Sequence, residues 1–296
     1  MHYLLTGGTG FIGSALVPVL IGGGHAVTVL SRQAKSDSKQ LRFVQSLDAI
    51  DDGETLDGVI NLAGASLAGK RWSNAYKQEI IDSRLSTTVA LYEFISRLKQ
   101  PPQVLLSASA IGYYGHHGDE RLSEDAEVTP GFSQDLCQRW ETAALSCASL
   151  GVRVCLLRFG VVLDRDGGAF TEMARPFHMG VANWIGSGKQ WLSWVHRRDV
   201  IAAMLFLLER SELEGAFNIT APEPVTSKGF CDAMKKHTRT FVTAPMPGIA
   251  MRLLVGEMAD ELLLNGQRVV PSRLAAAGFE FVLPTLDDAL LAIYGA

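Results

Sequence analysis

The opening of the chain constrains it more than any other stretch. His2-Tyr3-Leu4-Leu5-Thr6 is a short, mostly apolar run of the kind that makes a buried strand, and it passes directly into Gly7-Gly8-Thr9-Gly10-Phe11-Ile12-Gly13. An apolar stretch of helical length, Phe11 to Ile21, follows, so the unit reads strand, glycine turn, helix. In the spacing Gly7-x-x-Gly10-x-x-Gly13 each glycine has its own task. The first permits the tight turn, the second lets the backbone approach a pyrophosphate, and the third lets the helix pack close to the sheet. Amide groups and the positive end of the helix dipole then face the phosphates. A tight strand-helix junction with no ligand also needs glycine, and the remainder of the chain has to decide between the two.

Ala26-Val27-Thr28-Val29-Leu30 reads as a second buried strand and ends in Ser31-Arg32. A dinucleotide fold that holds NAD usually sets an acidic residue there against the ribose 2′-hydroxyl, whereas a cation suits the 2′-phosphate of NADP. Ser31 and Arg32, with Lys35 behind them, favour NADP; a solvated arginine at a strand end is the plainer alternative. Leu41 to Val44 is a further short strand. Asp57 to Gly64 runs as a strand into the small-residue turn Asn61-Leu62-Ala63-Gly64, which can lie against a flat ligand.

A helix is expected from Trp72 to Leu98, a strand over Val104 to Ser109, a helix from roughly Gln134 to Leu150, and a strand over Val152 to Arg158. Buried strands alternating with helices define an α/β chain with a Rossmann-type doubly wound parallel sheet. From about residue 165 the pattern becomes rich in glycine and aromatic residues. A helix from Asp199 to Arg210 and a strand at Phe217-Asn218-Ile219 return to the core. The rest, broken by Pro245, Pro247, Pro271 and Pro284, reads as short helices. The expected division is a nucleotide-binding domain over 1–165, drawing also on about 190–220, and a smaller C-terminal substrate region over 166–296.

Composition excludes several function classes. A net charge of −4 gives no electrostatic reason to expect nucleic acid or an acidic membrane as a partner. The four cysteines, Cys137, Cys147, Cys155 and Cys231, show neither a C-x-x-C pair nor a metal-ligand spacing, so reduced thiols and no metal centre are expected. Adjacent His116 and His117 do not alter that, since neighbours in sequence rarely converge on one ion. A first strand starting at residue 2 leaves no room for a signal peptide, and no apolar run reaches a membrane span; a cytoplasmic location is expected.

These motifs together resemble the extended short-chain dehydrogenase/reductases, the group of nucleotide-sugar epimerases and dehydratases. The resemblance is carried by the glycine turn, Asn61-Leu62-Ala63-Gly64, Ser107-x-Ser109 before Tyr113-Tyr114-Gly115, Arg158 to Leu163, and Trp194-Val195-His196-x-x-Asp199. Lys70-Arg71-Trp72, Ser83-Arg84, Gly186-Ser187-Gly188-x-Gln190 and Gly266 to Pro271 are similar to the poorly characterised "epimerase family" subgroup typified by the bacterial YfcH proteins. The resemblance implies a bound NADP and a small-molecule substrate. It places Gly7, Thr9, Gly10, Phe11, Ile12 and Gly13 at the pyrophosphate and Ser31 and Arg32 at the 2′-phosphate. It places Leu62, Ala63 and Gly64 beside the adenosine, and Glu79, Arg84 and Val162 along the cofactor. Related enzymes often form homodimers through helices flanking the sheet.

One departure bears on chemistry. Redox members use a Tyr-x-x-x-Lys pair, because a phenol becomes a base near neutrality only beside an ammonium and the nicotinamide charge. Aligned on Trp140-Glu141, this chain has Ser133 at the tyrosine and Cys137 at the lysine, and no Tyr-x-x-x-Lys occurs elsewhere. The remaining catalytic candidates are Ser109 at the strand end and a phenol from Tyr113 or Tyr114. By residue type, His116, His117 and His196 could also carry protons. Two readings stand: an NADP-dependent oxidoreductase or epimerase-like enzyme, and a non-catalytic NADP sensor read by a partner.

Overall fold

Strands that are apolar on both faces need helices on both faces. Leu4, Leu5, Val59, Ile60, Leu105 and Leu106, neighbours that point to opposite sides, are each fully buried. The computed structural model, which describes residues 1–295, shows how the chain meets that demand. In order come β1 (His2–Thr6), α1 (Gly13–Gly22), β2 (Ala26–Leu30), β3 (Leu41–Val44), β4 (Gly58–Asn61), α2 (Asn74–Arg97) and β5 (Val104–Ala110). Then follow β6 (Arg121–Leu122), α3 (Phe132–Leu145), β7 (Arg153–Phe159), β8 (Val161–Leu163), α4 (Gly168–His178), β9 (Val181–Ile185) and β10 (Trp191–Leu192). Next are β11 (Trp194–His196), α5 (Arg197–Glu209), β12 (Gly215–Ile219), β13 (Val225–Thr226), α6 (Ser227–His237), β14 (Val242–Met246) and α7 (Gly248–Val255). A π-helical turn (Ala259–Leu264), β15 (Arg268–Val269), α8 (Ser272–Ala276) and α9 (Leu286–Tyr294) complete the described chain.

Seven parallel strands form one sheet in the order β12-β7-β5-β4-β1-β2-β3. Leu5, Val29, Ile60 and Leu106 pack with Leu16 of α1 and Met204 of α5 on one face. Leu4, Val59 and Leu105 pack with Leu91 and Phe94 of α2 on the other. The chain runs outward from β1 through β2 and β3, then returns to place β4 on the far side of β1. That reversal opens a crevice at the carboxyl ends of β1 and β4, where such sheets bind ligands.

A third apolar cluster, with Phe170, Phe177, Trp194, Phe230, Met234 and Leu290, forms the core of the smaller C-terminal region. One expectation fails there. The segment after residue 241 is not all short helices, because Val242–Met246 runs as a strand parallel to β9, with Pro245 opposite Trp184. The strand tolerates its proline because it lies at a sheet edge, where a missing N–H breaks no ladder. The region is fastened to the sheet through Asp199, whose carboxylate accepts from the Val282 and Leu283 amides at 2.6 and 3.1 Å. Among the described residues no helix is long and apolar enough to cross a membrane.

Candidate functional site

The glycine turn lies at the mouth of the crevice. Gly7 has φ of +69°, and a Cβ on it would stand 2.5 Å from the Leu62 carbonyl oxygen. A Cβ on Gly13 would stand 2.4 Å from the Gly7 oxygen, so α1 presses directly on the turn. Gly10 is different: it is exposed, and a Cβ on it would meet only the Gly7 oxygen, at 3.2 Å. Its outer side is open to a ligand. No side chain caps the start of α1, and no acidic residue lies in its first turn, which leaves amide donors for an anion.

Phe11 is clamped from the far side of the crevice. The Arg197 guanidinium sits 4.8 Å from its ring centre and donates to the Phe11 carbonyl at 3.2 Å. Arg197 is itself held by Asp164 at 2.7 Å and Asp166 at 3.1 Å. Thr9, Gly10, Phe11, Asp166 and Arg197 border a cleft of about 490 Å³. The clamp was not legible in sequence, because nothing in the spacing links residue 11 to residues 164–197.

Polar groups fix the ends of the central strands below the cleft. Thr6 Oγ1 donates to Asn61 Oδ1 at 2.6 Å and accepts from the Ala63 amide at 3.2 Å. Asn61 Nδ2 donates to Thr88 Oγ1 at 3.0 Å, which also accepts from the Trp140 indole at 3.1 Å. Leu62 and Ala63 are thereby held half-buried at the cleft, with Gly64 exposed. Under Gly64 lies Arg84, buried, donating to the Ile80 and Ala65 carbonyls at 3.1 Å each. Burial holds the Arg84 pKa below the usual arginine value.

The remaining expected cofactor residues fall in varied settings. Arg32 is exposed at the end of β2, and its side chain has no hydrogen-bond or ionic partner among the described residues. The Ser31 hydroxyl is already engaged locally, donating to the Gln33 carbonyl at 2.8 Å and accepting from the Gln33 amide. Glu79 is half exposed and ion-paired with Lys70 at 2.8 Å. Ile12 stands at the head of α1, and Val162 sits on β8 opposite Val195.

The two tyrosines part company. Tyr114 is fully buried; its hydroxyl donates to Asn218 Oδ1 at 2.6 Å and accepts from Arg158 Nη1 at 3.0 Å. Burial pushes its pKa up to about 12. These contacts make Tyr114 a core residue and remove it from the catalytic candidates. Tyr113 is half-buried, with its ring centre 3.5 Å from the Arg158 guanidinium carbon and its hydroxyl unpartnered among the described residues. Ser109 is buried and donates to Glu141 Oε1 at 2.6 Å. Glu141 also takes the Arg158 Nε and Nη2 donors, both at 2.9 Å, in a bidentate pair. With its O–H directed at Glu141, Ser109 offers an outside partner lone pairs and no donor.

The lysine position is no ammonium. Burial pushes the Cys137 thiol up to about 12, with the Glu141 charge adding to the effect. All four cysteines are buried and unpaired. A thiol reagent is therefore expected to label none of them in the native protein over minutes and all four in denaturant. Rapid labelling of Cys137 in the native protein would contradict this placement. His196 is buried, accepts from the Arg198 amide at 3.1 Å and caps α5; burial pulls its pKa down to about 4, so it is neutral. His117 bonds the Tyr114 carbonyl at 3.0 Å, and His116 Nδ1 is buried without a partner.

A glycine cradle at the switch point of a seven-stranded parallel sheet defines a Rossmann-type fold of the nucleotide-binding class. Residues 3–220 match the NAD dependent epimerase/dehydratase family, and residues 246–293 match a domain of unknown function, DUF1731. The chain belongs to the NAD dependent epimerase/dehydratase family. An epimerase family protein of Mycobacterium bovis is 37% identical over 288 residues, spanning 97% of this chain and 95% of its own. One from Staphylococcus aureus is 38% identical over 298 residues, spanning 98% and 97%. The human epimerase family protein SDR39U1, solved with NADPH, is similar at a TM-score of 0.89 and 32% identity, spanning 100% of this chain and 99% of that one. A nucleoside-diphosphate sugar epimerase from Corynebacterium glutamicum reaches 0.80 at 28% identity, spanning 100% of this chain and 58% of that one.

Proposed function

We propose that this chain binds NADP(H) across the crevice and acts as an oxidoreductase or epimerase-like enzyme on a small molecule. The observation that carries the reading is the cradle itself. Two glycines have the space for a Cβ filled by backbone, the third faces outward, and the helix behind them starts with uncapped amides. That geometry suits a pyrophosphate. The NADPH bound to the human relative adds support.

Arg32 makes the choice between nucleotides. It is an exposed cation without an internal partner, at the strand end where the 2′-phosphate falls in such folds. Arg32→Ala is expected to weaken NADPH binding about 10- to 100-fold, the worth of a charge-assisted hydrogen bond, and to leave NADH binding unchanged. Titration followed by tryptophan fluorescence reads both. Equal losses for the two nucleotides would remove the 2′-phosphate argument.

When bound, the nicotinamide supplies hydride donation and acceptance. The chain's own residues position it. The Leu62–Gly64 turn, buttressed by Arg84, provides a flat wall beyond the pyrophosphate. Arg84 also lies close enough to Cys137 to act on its ionisation, so α2 delivers a cation near the place a lysine would occupy. Ser109, its proton held by Glu141, is set to accept a hydrogen bond from a substrate hydroxyl. The substrate test is spectroscopic: NADPH oxidation across a panel of carbonyl compounds and sugar nucleotides.

One observation favours a second reading. Cys137 is uncharged and Ser133 replaces the tyrosine, as a nucleotide sensor without turnover would allow. Tight NADPH binding with no oxidation over the panel would support that alternative.

A further inference from the structure

The position where α3 lacks its tyrosine is contacted from another part of the chain. Ser133 stands there, against the turn that follows β5; a Cβ on Gly112 would lie 3.0 Å from that of Ser133. A serine is shorter than a tyrosine by a whole ring and cannot reach a reacting atom set for the phenol. Glu261, on the π-helical turn of the C-terminal region, reaches that residue. Its Oε2 accepts from the Ser133 hydroxyl at 2.9 Å and from the Ser133 amide at 3.2 Å. Its Oε1 has no hydrogen-bond partner among the described residues, and the residue is half-buried. One oxygen is fixed and the other is presented, as in a positioned acid or base.

The turn that carries Glu261 is itself anchored. Glu257 pairs with Lys77 of α2 at 2.8 Å, Arg252 pairs with Asp260 at 2.8 Å, and the Leu263 carbonyl accepts from Gln190 at 3.0 Å. Helical turns of the π type are rare and occur often at functional sites. Gly131, at the head of α3, lies beside the same carboxylate: a Cβ there would make ordinary contact with both oxygens, at 3.7 and 3.8 Å. The location is also right for the second half of a dinucleotide. With the first half over β2, the other half extends over the ends of β4 and β5, and Gly112 follows directly from β5.

We propose that Glu261 is the catalytic acid and base of this site, with Ser133 as its positioning residue. The assignment rests on the nicotinamide reading above. In the oxidative direction the O–H bond of a secondary alcohol breaks and its proton passes to Glu261 Oε1. The electron pair of the carbinol C–H bond leaves as hydride to the nicotinamide ring, and a C=O bond forms. In reduction the same proton and hydride return to the carbonyl. A carboxylate, unlike a phenol, serves as a base at neutral pH without an adjacent ammonium. An uncharged Cys137 in the lysine position then needs no replacement.

The test does not depend on knowing the substrate. A carboxylate beside the nicotinamide favours the oxidised ring, which carries the positive charge. NADP⁺ and NADPH are titrated separately at about pH 8, where carboxylates are ionised, into the wild-type chain, Glu261→Gln and Ser133→Ala. Glu261→Gln is expected to weaken NADP⁺ relative to NADPH by a factor of about 5 to 10, the size of a partly screened charge interaction. Ser133→Ala, which frees the carboxylate to move, gives a smaller shift in the same direction. An unchanged ratio in Glu261→Gln, with both nucleotides bound at wild-type affinity, overturns the assignment and leaves the cofactor reading standing. If Glu261→Gln binds neither nucleotide, the Ser133→Ala ratio decides: a shift supports the assignment and no shift overturns it. Wild-type protein that binds neither nucleotide overturns the cofactor reading, and the assignment with it.

Discussion

Gly7→Ala is expected to weaken NADPH binding at least about 100-fold, the loss of two amide-to-phosphate hydrogen bonds at roughly 1.5 kcal/mol or more each. Two penalties act at once. Residue 7 has φ of +69°, a conformation that costs a non-glycine residue about 1–2 kcal/mol. The new Cβ would also stand 2.5 Å from the Leu62 oxygen and 3.0 Å from the Ala63 nitrogen. That backbone has little room to yield, since the Leu62 amide donates to the Thr6 carbonyl at 3.1 Å and the Ala63 amide to Thr6 Oγ1 at 3.2 Å. Relief comes only by moving the turn itself, which carries Gly10 and the head of α1 away from the phosphate position. Titration of NADPH, with near-ultraviolet circular dichroism as a control for folding, reads the effect. A dissociation constant within a few-fold of wild type would show that the turn is a packing device and not a phosphate cradle.

The second large effect lies beneath the site. Arg158→Met should destabilise the protein by about 3–5 kcal/mol, because it leaves the buried Glu141 carboxyl without its partner. Both side chains are about 5% exposed, and the pair is bidentate. The same guanidinium donates to Tyr114 and to the Glu124 carbonyl, both at 3.0 Å, so the loss extends beyond one ion pair. A fall in melting temperature of roughly 5–10 °C is expected. The double variant Glu141→Leu with Arg158→Met removes both charges and should recover much of the loss, as replaced buried pairs commonly do. If the single variant melts with the wild type, the pair does not organise this core.

Much of the sheet was legible because both-face burial leaves a simple signature. The runs at Leu4, Val27, Ile60 and Leu105 are apolar on consecutive residues, and glycine or small residues follow the first and third of them. The strand at Val242–Met246 was hidden by its own proline, since edge pairing depends on a partner 61 residues away, Val181, that local pattern does not reveal. Tyr113 and Tyr114 are chemically identical in the sequence. Asn218 and Arg158, 104 and 44 residues distant from Tyr114, select which of the two is locked in the core. Arg158 itself was a usable signal, because a charge inside a buried strand requires a partner. Glu261 carried none: it meets Ser133 across 128 residues, and only the folded chain brings them together.

Whether the crevice is a selective NADP(H) site is decided by calorimetric titration of the purified chain with NADPH and with NADH. One site per chain is expected for NADPH, with at least about tenfold weaker binding of NADH, a difference of roughly 1.4 kcal/mol or more. Equal affinity for the two nucleotides, or no heat of binding with either, would contradict it.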